Sequence, residues 1–403
     1  MGEDCLTISV WTPVRAGRKG EHGWHRGKKN EGFPVMMFIY GGGFQTGGEN
    51  VPYQIPAQWV QRSQNLIVVS FNYRLNVFGF PNAAGLSEQN LGLLDQRLAV
   101  EWVRDNIAGF GGDPTRIILW GQSAGAMSVD FYNFAHYDDP IVEGLIMNSG
   151  SALVPLRSAD TSHSNFSFVA SQVGCGNQAD AAAELACMRG VPAQTLEQFV
   201  GTYQGSGATP GITFAPIADG KVVFDNYTER ALEGKLAKVP AIIGTNSEDG
   251  VPFAPYNPSG PNQTIAQQAL LSLFFCPAVV TTRNRLAAGR TTYRYEYRGN
   301  FTNISPRPWM GAYHSAELPL LFGTHPNYRG NSTPFEYAVS AAMQDAWQAF
   351  ARDPNGGLAT QDWPAYTGPG GAVRIFGADG TVAQTRDLSV LEAMCNGVPA
   401  IAS

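Results

Sequence analysis

The hydrophobic pattern of this chain alternates between short apolar runs, which predict strands, and longer amphipathic segments, which predict helices. Strands are expected at residues 6–13, 35–40, 65–71, 117–120, 144–147, 240–244 and 291–297. The runs at 35–40, 117–120 and 240–244 contain almost no polar side chains, which indicates strands buried on both faces. Helices are expected at residues 158–204, near 336–351, and at 90–109 with Leu93, Leu98, Val100 and Val103 on one apolar face. We expect the helices of residues 158–204 to cap the sheet that the strands form.

Composition and charge restrict the class of protein. The 403 residues are 44% hydrophobic and only 15% charged, which is typical of a folded globular protein. A net charge of −6 and a pI of about 5.6 make nucleic acid an unsuitable partner. No apolar run reaches the length that spans a membrane. The histidines, cysteines and acidic residues show no metal-binding spacing, so we expect neither a metal nor a cofactor.

Residues 14–33 are rich in glycine and carry six basic side chains against two acidic ones. The simplest interpretation is a solvated insertion between two strands, because charges in a polar, glycine-rich loop are usually hydrated. A basic patch for heparin or nucleic acid is the alternative.

A sharp turn that presents a serine follows the apolar run 117–120. The sequence there is Gly121-Gln122-Ser123-Ala124-Gly125, and small and apolar residues able to start a helix come next. A G-x-S-x-G step between strand and helix is typical of a nucleophile elbow. We expect Ser123 to adopt a strained backbone conformation, with glycine needed two residues before and after it to avoid clashes. The alternative is an ordinary Gly/Ser turn.

The longer run FGGDPTRIILWGQSAG, residues 110–125, resembles the active-site signature of the type-B carboxylesterase family, which includes cholinesterases and some lipases. The resemblance implies an α/β-hydrolase fold, with a large, mostly parallel central sheet and helices on both faces. It also implies that residues 1–403 form one such domain. The expected activity is hydrolysis of carboxylic esters by a serine nucleophile, Ser123.

Three glycines after the strand at 35–40 resemble the family's oxyanion loop. They follow Tyr40, which stands where many esterases and lipases carry histidine. By resemblance, the amides of Gly42, Gly43 and Ala124 would donate to the negative charge that develops on the ester carbonyl. A flexible glycine turn is the alternative.

The remaining members of the expected triad follow in chain order. The family's acid immediately precedes a glycine, and the step here is Glu248-Asp249-Gly250, the reverse of the usual D-E-G. By position the acid is Asp249, with Glu248 as the alternative. Of the six histidines only His314 lies in the family's H-x-x-E-L motif, which makes it the expected base. Resemblance also places Ser149 beside the acid as its support.

Five cysteines and several sequons suggest an oxidising compartment. The resemblance implies disulfides Cys175–Cys187 and Cys276–Cys395, and a Cys5 whose partner lies further upstream in relatives. Five free cysteines are the alternative. N-x-S/T sequons occur at Asn165, Asn226, Asn262, Asn300, Asn303 and Asn331, which favours secretion. No signal peptide is recognisable at residues 1–4, so we expect that the family's amino-terminal strands are missing.

The sequence therefore predicts a secreted serine esterase that acts on small carboxylic esters without a cofactor. Gln122 precedes the nucleophile where cholinesterases carry glutamate, and this favours a neutral substrate over a cationic one. A non-catalytic or catalytically impaired member of the same fold is the alternative. The oligomeric state cannot be read from the sequence.

Overall fold

The computed structural model describes residues 2–14 and 32–398. Within these residues nine strands form one sheet in the order β1-β3-β2-β4-β5-β6-β7-β8-β9. The pairs from β3 to β8 are parallel, and β1 and β9 lie antiparallel at the two edges. The strands are β1 (Ile8–Trp11), β2 (Phe33–Ile39), β3 (Ile67–Phe71), β4 (Gly112–Gln122), β5 (Gly144–Asn148), β6 (Ala241–Asn246), β7 (Thr292–Tyr297), β8 (Ala372–Ala378) and β9 (Thr381–Asp387).

Helices cover both faces of the sheet. In the described chain they are α1 (Ala57–Ser63), α2 (Asn76–Gly79), α3 (Leu91–Asn106), α4 (Ala124–Ala135), α5 (Ser164–Gln172), α6 (Ala181–Arg189), α7 (Ala193–Ser206), α8 (Tyr227–Leu232), α9 (Gln263–Ala269), α10 (Cys276–Ala287), α11 (Leu318–Phe322), α12 (Pro334–Arg352) and α13 (Ser389–Glu392). Helices α3, α4, α10 and α12 pack directly on the central strands. Because both faces are covered, β3, β5, β6 and β7 are buried along their whole length.

Each of the seven expected strands is present, as are helices at all three expected places. The prediction for the apolar face of α3 was wrong at one position. Leu98 is 60% exposed, whereas Leu93, Val100 and Val103 are buried. At 3.6 residues per turn, five residues separate Leu98 from Leu93 by about 140° around the helix, which places it on the solvent side. Residues 15–31, most of the expected insertion, lie outside the described residues.

A continuous helix over Gln263–Ala287 was not predicted. It joins α9 to α10 through a π-helical segment at Leu270–Phe275. In the described part of the chain this is the one helix long and apolar enough to cross a membrane, contrary to the expectation from apolar runs. Half of the most apolar stretch of this helix is buried inside the protein, and α10 packs against α8, β6 and β7. These contacts are those of a core helix.

Both expected disulfides are present, at Cys175–Cys187 and Cys276–Cys395, and Cys5 is exposed and free. The second bond ties the start of α10 to the segment after α13. One sequon is unsuitable for a glycan in the folded protein. Asn303 is only 5% exposed, and its amide donates to the carbonyl of His325 and to Glu336.

Candidate active site

The turn between β4 and α4 holds Ser123 at φ 57° and ψ −124°, a conformation that non-glycine residues rarely adopt. The flanking glycines permit this turn. A Cβ on Gly121 would lie 2.2 Å from the Gly125 carbonyl oxygen, and a Cβ on Gly125 would lie 2.0 Å from that of Ile39. The strain and the need for glycine are therefore both present, as expected. Because Ala124 begins α4, its amide has no partner within the helix.

The glycine loop after β2 faces the same cavity as Ser123. Gly42 has φ 120°, and a Cβ there would lie 2.1 Å from the Thr46 carbonyl oxygen. Gly43 has φ 62° with no atom within 4 Å of its Cβ position, so only its backbone conformation requires glycine. Tyr40 anchors the loop at its start, because its ring stacks on Tyr73 at 4.6 Å between centroids.

Asp249 and His314 are joined by a hydrogen bond. His314 Nδ1 lies 2.8 Å from Asp249 Oδ1, and the Asp249 side chain is completely buried. The other carboxylate oxygen of Asp249 accepts from the Ser149 hydroxyl at 2.8 Å and from the backbone amide of Asn246 at 2.7 Å. These bonds fix the carboxylate, and the Nδ1–H···O contact turns Nε2 of the imidazole into an acceptor.

Glu248, the alternative acid, points elsewhere. Its carboxylate accepts from the Ala312 amide at 2.8 Å and from the Ser247 hydroxyl. A Cβ on Gly311 would meet the Glu248 carboxyl carbon at 2.8 Å, so Glu248 packs tightly on the loop before His314. Of the two adjacent acids, only Asp249 contacts the imidazole.

His314 Nε2 faces Gln122 rather than Ser123. The side-chain nitrogen of Gln122 lies 3.1 Å from Nε2, so that the amide donates to the imidazole lone pair. Among the described residues no partner accepts from or donates to the Ser123 hydroxyl. Ser123 and His314 nevertheless line one cavity.

That cavity has a volume of about 490 Å³. Two phenylalanine rings flank the imidazole, Phe274 at 4.6 Å and Phe253 at 5.2 Å between centroids. The described lining contains no aspartate, glutamate, lysine or arginine; it consists of Tyr40, Gly41, Gly42, Gly43, Thr46, Gly47, Val51, Tyr53, Gln54, Gln122, Ser123, Met127, Ser149, Gly150, Val154, Pro155, Leu156, Phe253, Leu273, Phe274, His314 and Ser315. The site is therefore suited to an uncharged ligand.

A second buried acid lies behind the imidazole. Glu317 is completely buried, and burial together with the negative charge of Asp249 raises its pKa from 4.5 to about 7. Sequence reasoning gave it no role, although it is the glutamate of the H-x-x-E-L motif. The contacts of Gln122, Phe253 and Phe274 with His314 were also missed, because they arise from tertiary packing that has no local sequence signal.

The fold agrees with the comparisons to known proteins. The profile of the carboxylesterase family matches residues 1–271 and 261–383, so the chain belongs to this family. It is a carboxylic ester hydrolase. A solved PNB esterase shares the fold, with a TM-score of 0.77 and 25% identity over 97% of this chain and 84% of that one.

The chain is also similar to curated fungal enzymes. It is 47% identical to the chlorogenic acid esterase of Aspergillus niger over 397 residues, 95% of this chain and 75% of that protein. It is 49% identical to secreted lipase 5 of Gibberella zeae over 383 residues, 90% of this chain and 70% of that protein. The cholinesterase of Mus musculus is more distant, at 28% identity over 430 residues, 91% of this chain and 68% of that protein.

Proposed function

We propose that the chain hydrolyses carboxylic esters through an acyl-enzyme, with Ser123 as nucleophile, His314 as general base and Asp249 as the acid that orients the imidazole. The observation that carries the proposal is the Asp249–His314 hydrogen bond, which directs the Nε2 lone pair toward the cavity that contains the strained Ser123. Ser149 supports Asp249 through its hydroxyl. Glu248 has a different role, as the anchor of the histidine loop.

In the proposed reaction, Nε2 of His314 takes the hydroxyl proton of Ser123 while Oγ attacks the ester carbonyl carbon. The imidazolium then gives the proton to the leaving alkoxide oxygen, which departs as an alcohol. A water molecule repeats the sequence and releases the acid. The side-chain amide of Gln122 contacts Nε2, so this contact has to be exchanged for one with Ser123 before the proton moves. Catalytic hydrogen bonds are commonly loose before substrate binds.

The amides of Gly42, Gly43 and Ala124 would donate to the oxyanion of the tetrahedral intermediate. Two features support this role: the glycine loop and Ser123 line one cavity, and Ala124 is the first residue of α4, where amides lack helical partners. Removal of one such donor typically costs about 3 kcal/mol of transition-state stabilisation.

The uncharged lining of the cavity favours neutral esters as substrates. A carboxylate or ammonium group on the substrate would lose its hydration without gaining an ionic partner. Two named relatives, an esterase of chlorogenic acid and a secreted lipase, support hydrolysis of small-molecule esters outside the cell. The two disulfides fit an extracellular protein, and we propose that this chain is secreted.

Labelling with a serine-directed phosphonate, followed by intact mass, tests the nucleophile. We expect one phosphonyl group per wild-type chain, none on Ser123→Ala, and a more than thousandfold loss of turnover in that variant, roughly the contribution of a triad serine. Ser128→Ala is the matched control, because Ser128 lies five residues further along, and its hydroxyl donates to the Ala124 carbonyl oxygen and accepts from the side-chain amide of Gln96, away from His314. It should still be labelled. Labelling of Ser123→Ala would rule out the assignment.

A further inference from the structure

Glu317 is a buried acid in a site that offers it no cation. In the described chain no lysine or arginine forms an ion pair with it. The titratable groups that face it from the packed elements are the acids and phenols Asp249, Tyr53, Tyr295 and Tyr297, and the imidazole of His314. A second negative charge here would be desolvated and would repel Asp249, so the surroundings favour the uncharged carboxylic acid.

The Glu317 carboxyl joins two strand ends. One oxygen accepts from the side-chain amide of Asn246, at the end of β6, at 2.6 Å. The other lies 3.3 Å from the side-chain nitrogen of Asn148, at the end of β5. Glu317 itself directly precedes α11, in the loop that carries His314. One side chain therefore connects β5, β6 and the histidine loop.

Both asparagines also contact the proposed triad. The Asn246 side chain donates to the carbonyl of Tyr313, the residue before His314, at 2.9 Å. The Asn246 backbone amide donates to Asp249. On the other strand, the Asn148 carbonyl accepts from the Ser123 amide at 2.9 Å. The position of each triad member is thus linked to Glu317 through one asparagine.

We propose that Glu317 is a positioning residue, which holds the ends of β5 and β6 against the histidine loop as an uncharged acid and leaves Asp249 as the sole negative charge facing His314. This inference rests on the proposed triad. The carboxyl proton of Glu317 has an acceptor nearby, because Asn148 Oδ1 is buried without a partner among the described residues. A 180° turn of that side-chain amide would place the oxygen toward Glu317, where it can accept the proton.

Kinetics of Glu317→Gln and Glu317→Ala test the positioning role. Glutamine keeps the shape and the hydrogen bonds without a charge, so we expect its kcat per phosphonate-titrated site to stay within threefold of wild type at the pH 6 of the infrared measurement described below. Alanine removes the connection, and we expect its kcat to fall at least thirtyfold while KM changes less than threefold. Glu336→Gln, at another buried glutamate, on α12 and paired with His325, is the control and should leave kcat per site unchanged.

A Glu317→Gln variant as inactive as Glu317→Ala would show that the charge of Glu317 is required. A Glu317→Ala variant with normal kcat would show that the connection between the two strand ends and the histidine loop is not required. Either result overturns the proposal.

Infrared spectroscopy gives an independent readout should the Glu317→Ala variant fail to fold. The wild-type minus Glu317→Gln spectrum at pH 6 should contain the carbonyl stretch of a protonated carboxylic acid, which disappears above pH 8. Its absence at pH 6 would also overturn the proposal. Absence of phosphonate labelling in wild type would instead reject the proposed triad. The infrared spectrum would then still decide whether Glu317 is an uncharged acid.

Discussion

Two adjacent carboxylates in the turn after β6 differ in what they touch: Asp249 bonds to the imidazole of His314, and Glu248 bonds to the backbone of the loop that carries it. We expect Asp249→Asn to lower kcat by about 10⁴, because an amide cannot stabilise the imidazolium and favours the wrong tautomer. Glu248→Gln should lower kcat less than tenfold, since its amide oxygen can still accept from Ala312. Steady-state kinetics per titrated site compare the two.

The reverse order of damage would mean that Glu248 reaches the imidazole during turnover, and would transfer the acid's role to it. Equal, small effects of the two substitutions would show that neither carboxylate orients His314.

Glu317 makes the stability of the fold depend on pH in a defined direction. Its pKa is about 7 in the folded chain against an ordinary value of 4.5, so the folded state holds a proton that the unfolded state has lost between these values. The free energy of unfolding should therefore fall as pH rises from 4.5 to 7, by about 3 kcal/mol in total, and then level off. The contribution loses its pH dependence about one unit above the folded pKa, where the carboxyl is ionised in both states.

Urea unfolding of wild type and Glu317→Gln at several pH values isolates this contribution. As pH rises from 4.5 to 7, wild type should lose about 3 kcal/mol of unfolding free energy relative to Glu317→Gln. A difference that stays constant with pH would show that Glu317 ionises normally in the folded protein.

At the scale of elements, the elbow depends on the close approach of α4 to β2. Gly125→Ala would place a Cβ 2.0 Å from the Ile39 carbonyl oxygen, and backbone atoms cannot retreat easily. We expect a loss of several kcal/mol of stability, beyond the usual cost of overpacking. Gly201→Ala is the matched control, because Gly201 lies inside α7 with no atom near its Cβ position. It should gain up to about 1 kcal/mol from helix propensity. Thermal unfolding midpoints that move equally in both variants would contradict the close contact.

The strands around this elbow could be predicted from sequence because they are buried on both faces and therefore lack polar residues. The β8–β9 hairpin was missed although its turn is readable. Asp379 and Gly380 both have positive φ, at 54° and 70°, and Asp-Gly between alternating residues is a strong hairpin signal. The helix over Gln263–Ala287 was harder to predict, because Pro277 normally interrupts a helix. Here it follows the π-helical segment, where the regular i to i−4 bonding is already interrupted.

For the candidate site, sequence motifs pointed to Ser123 and Asp249, each in a local pattern just after a strand, and to His314, in the H-x-x-E-L pattern of the loop before α11. Motifs could not decide between Asp249 and Glu248, because both side chains can reach the same space from one turn. Nor could they reveal Gln122 and Phe274 beside His314. Those contacts depend on how the end of β4 and the π-helical segment each lie against the histidine loop.

At the scale of the whole molecule, the two disulfides should contribute unequally to stability. Cys276–Cys395 spans 119 residues and Cys175–Cys187 spans only 12. In the chain-entropy estimate these loops correspond to about 5 and about 3 kcal/mol. We expect the double variant Cys276→Ser/Cys395→Ser to lose roughly 2 kcal/mol more than Cys175→Ser/Cys187→Ser by urea unfolding. Equal losses would show that the chain-entropy term does not dominate here.

The backbone of Ser123 has a consequence for the evolution of this molecule. A side chain held at φ 57° and ψ −124° opposes the local preference of the chain, typically by about 1–3 kcal/mol. Glycine would release most of that strain, so Ser123→Gly should unfold at a higher temperature than the equally inactive Ser123→Ala. Selection for catalysis therefore acts against selection for robustness at this residue. An inactive descendant with glycine at this position would gain stability, whereas an active descendant has to tolerate the strain of the serine.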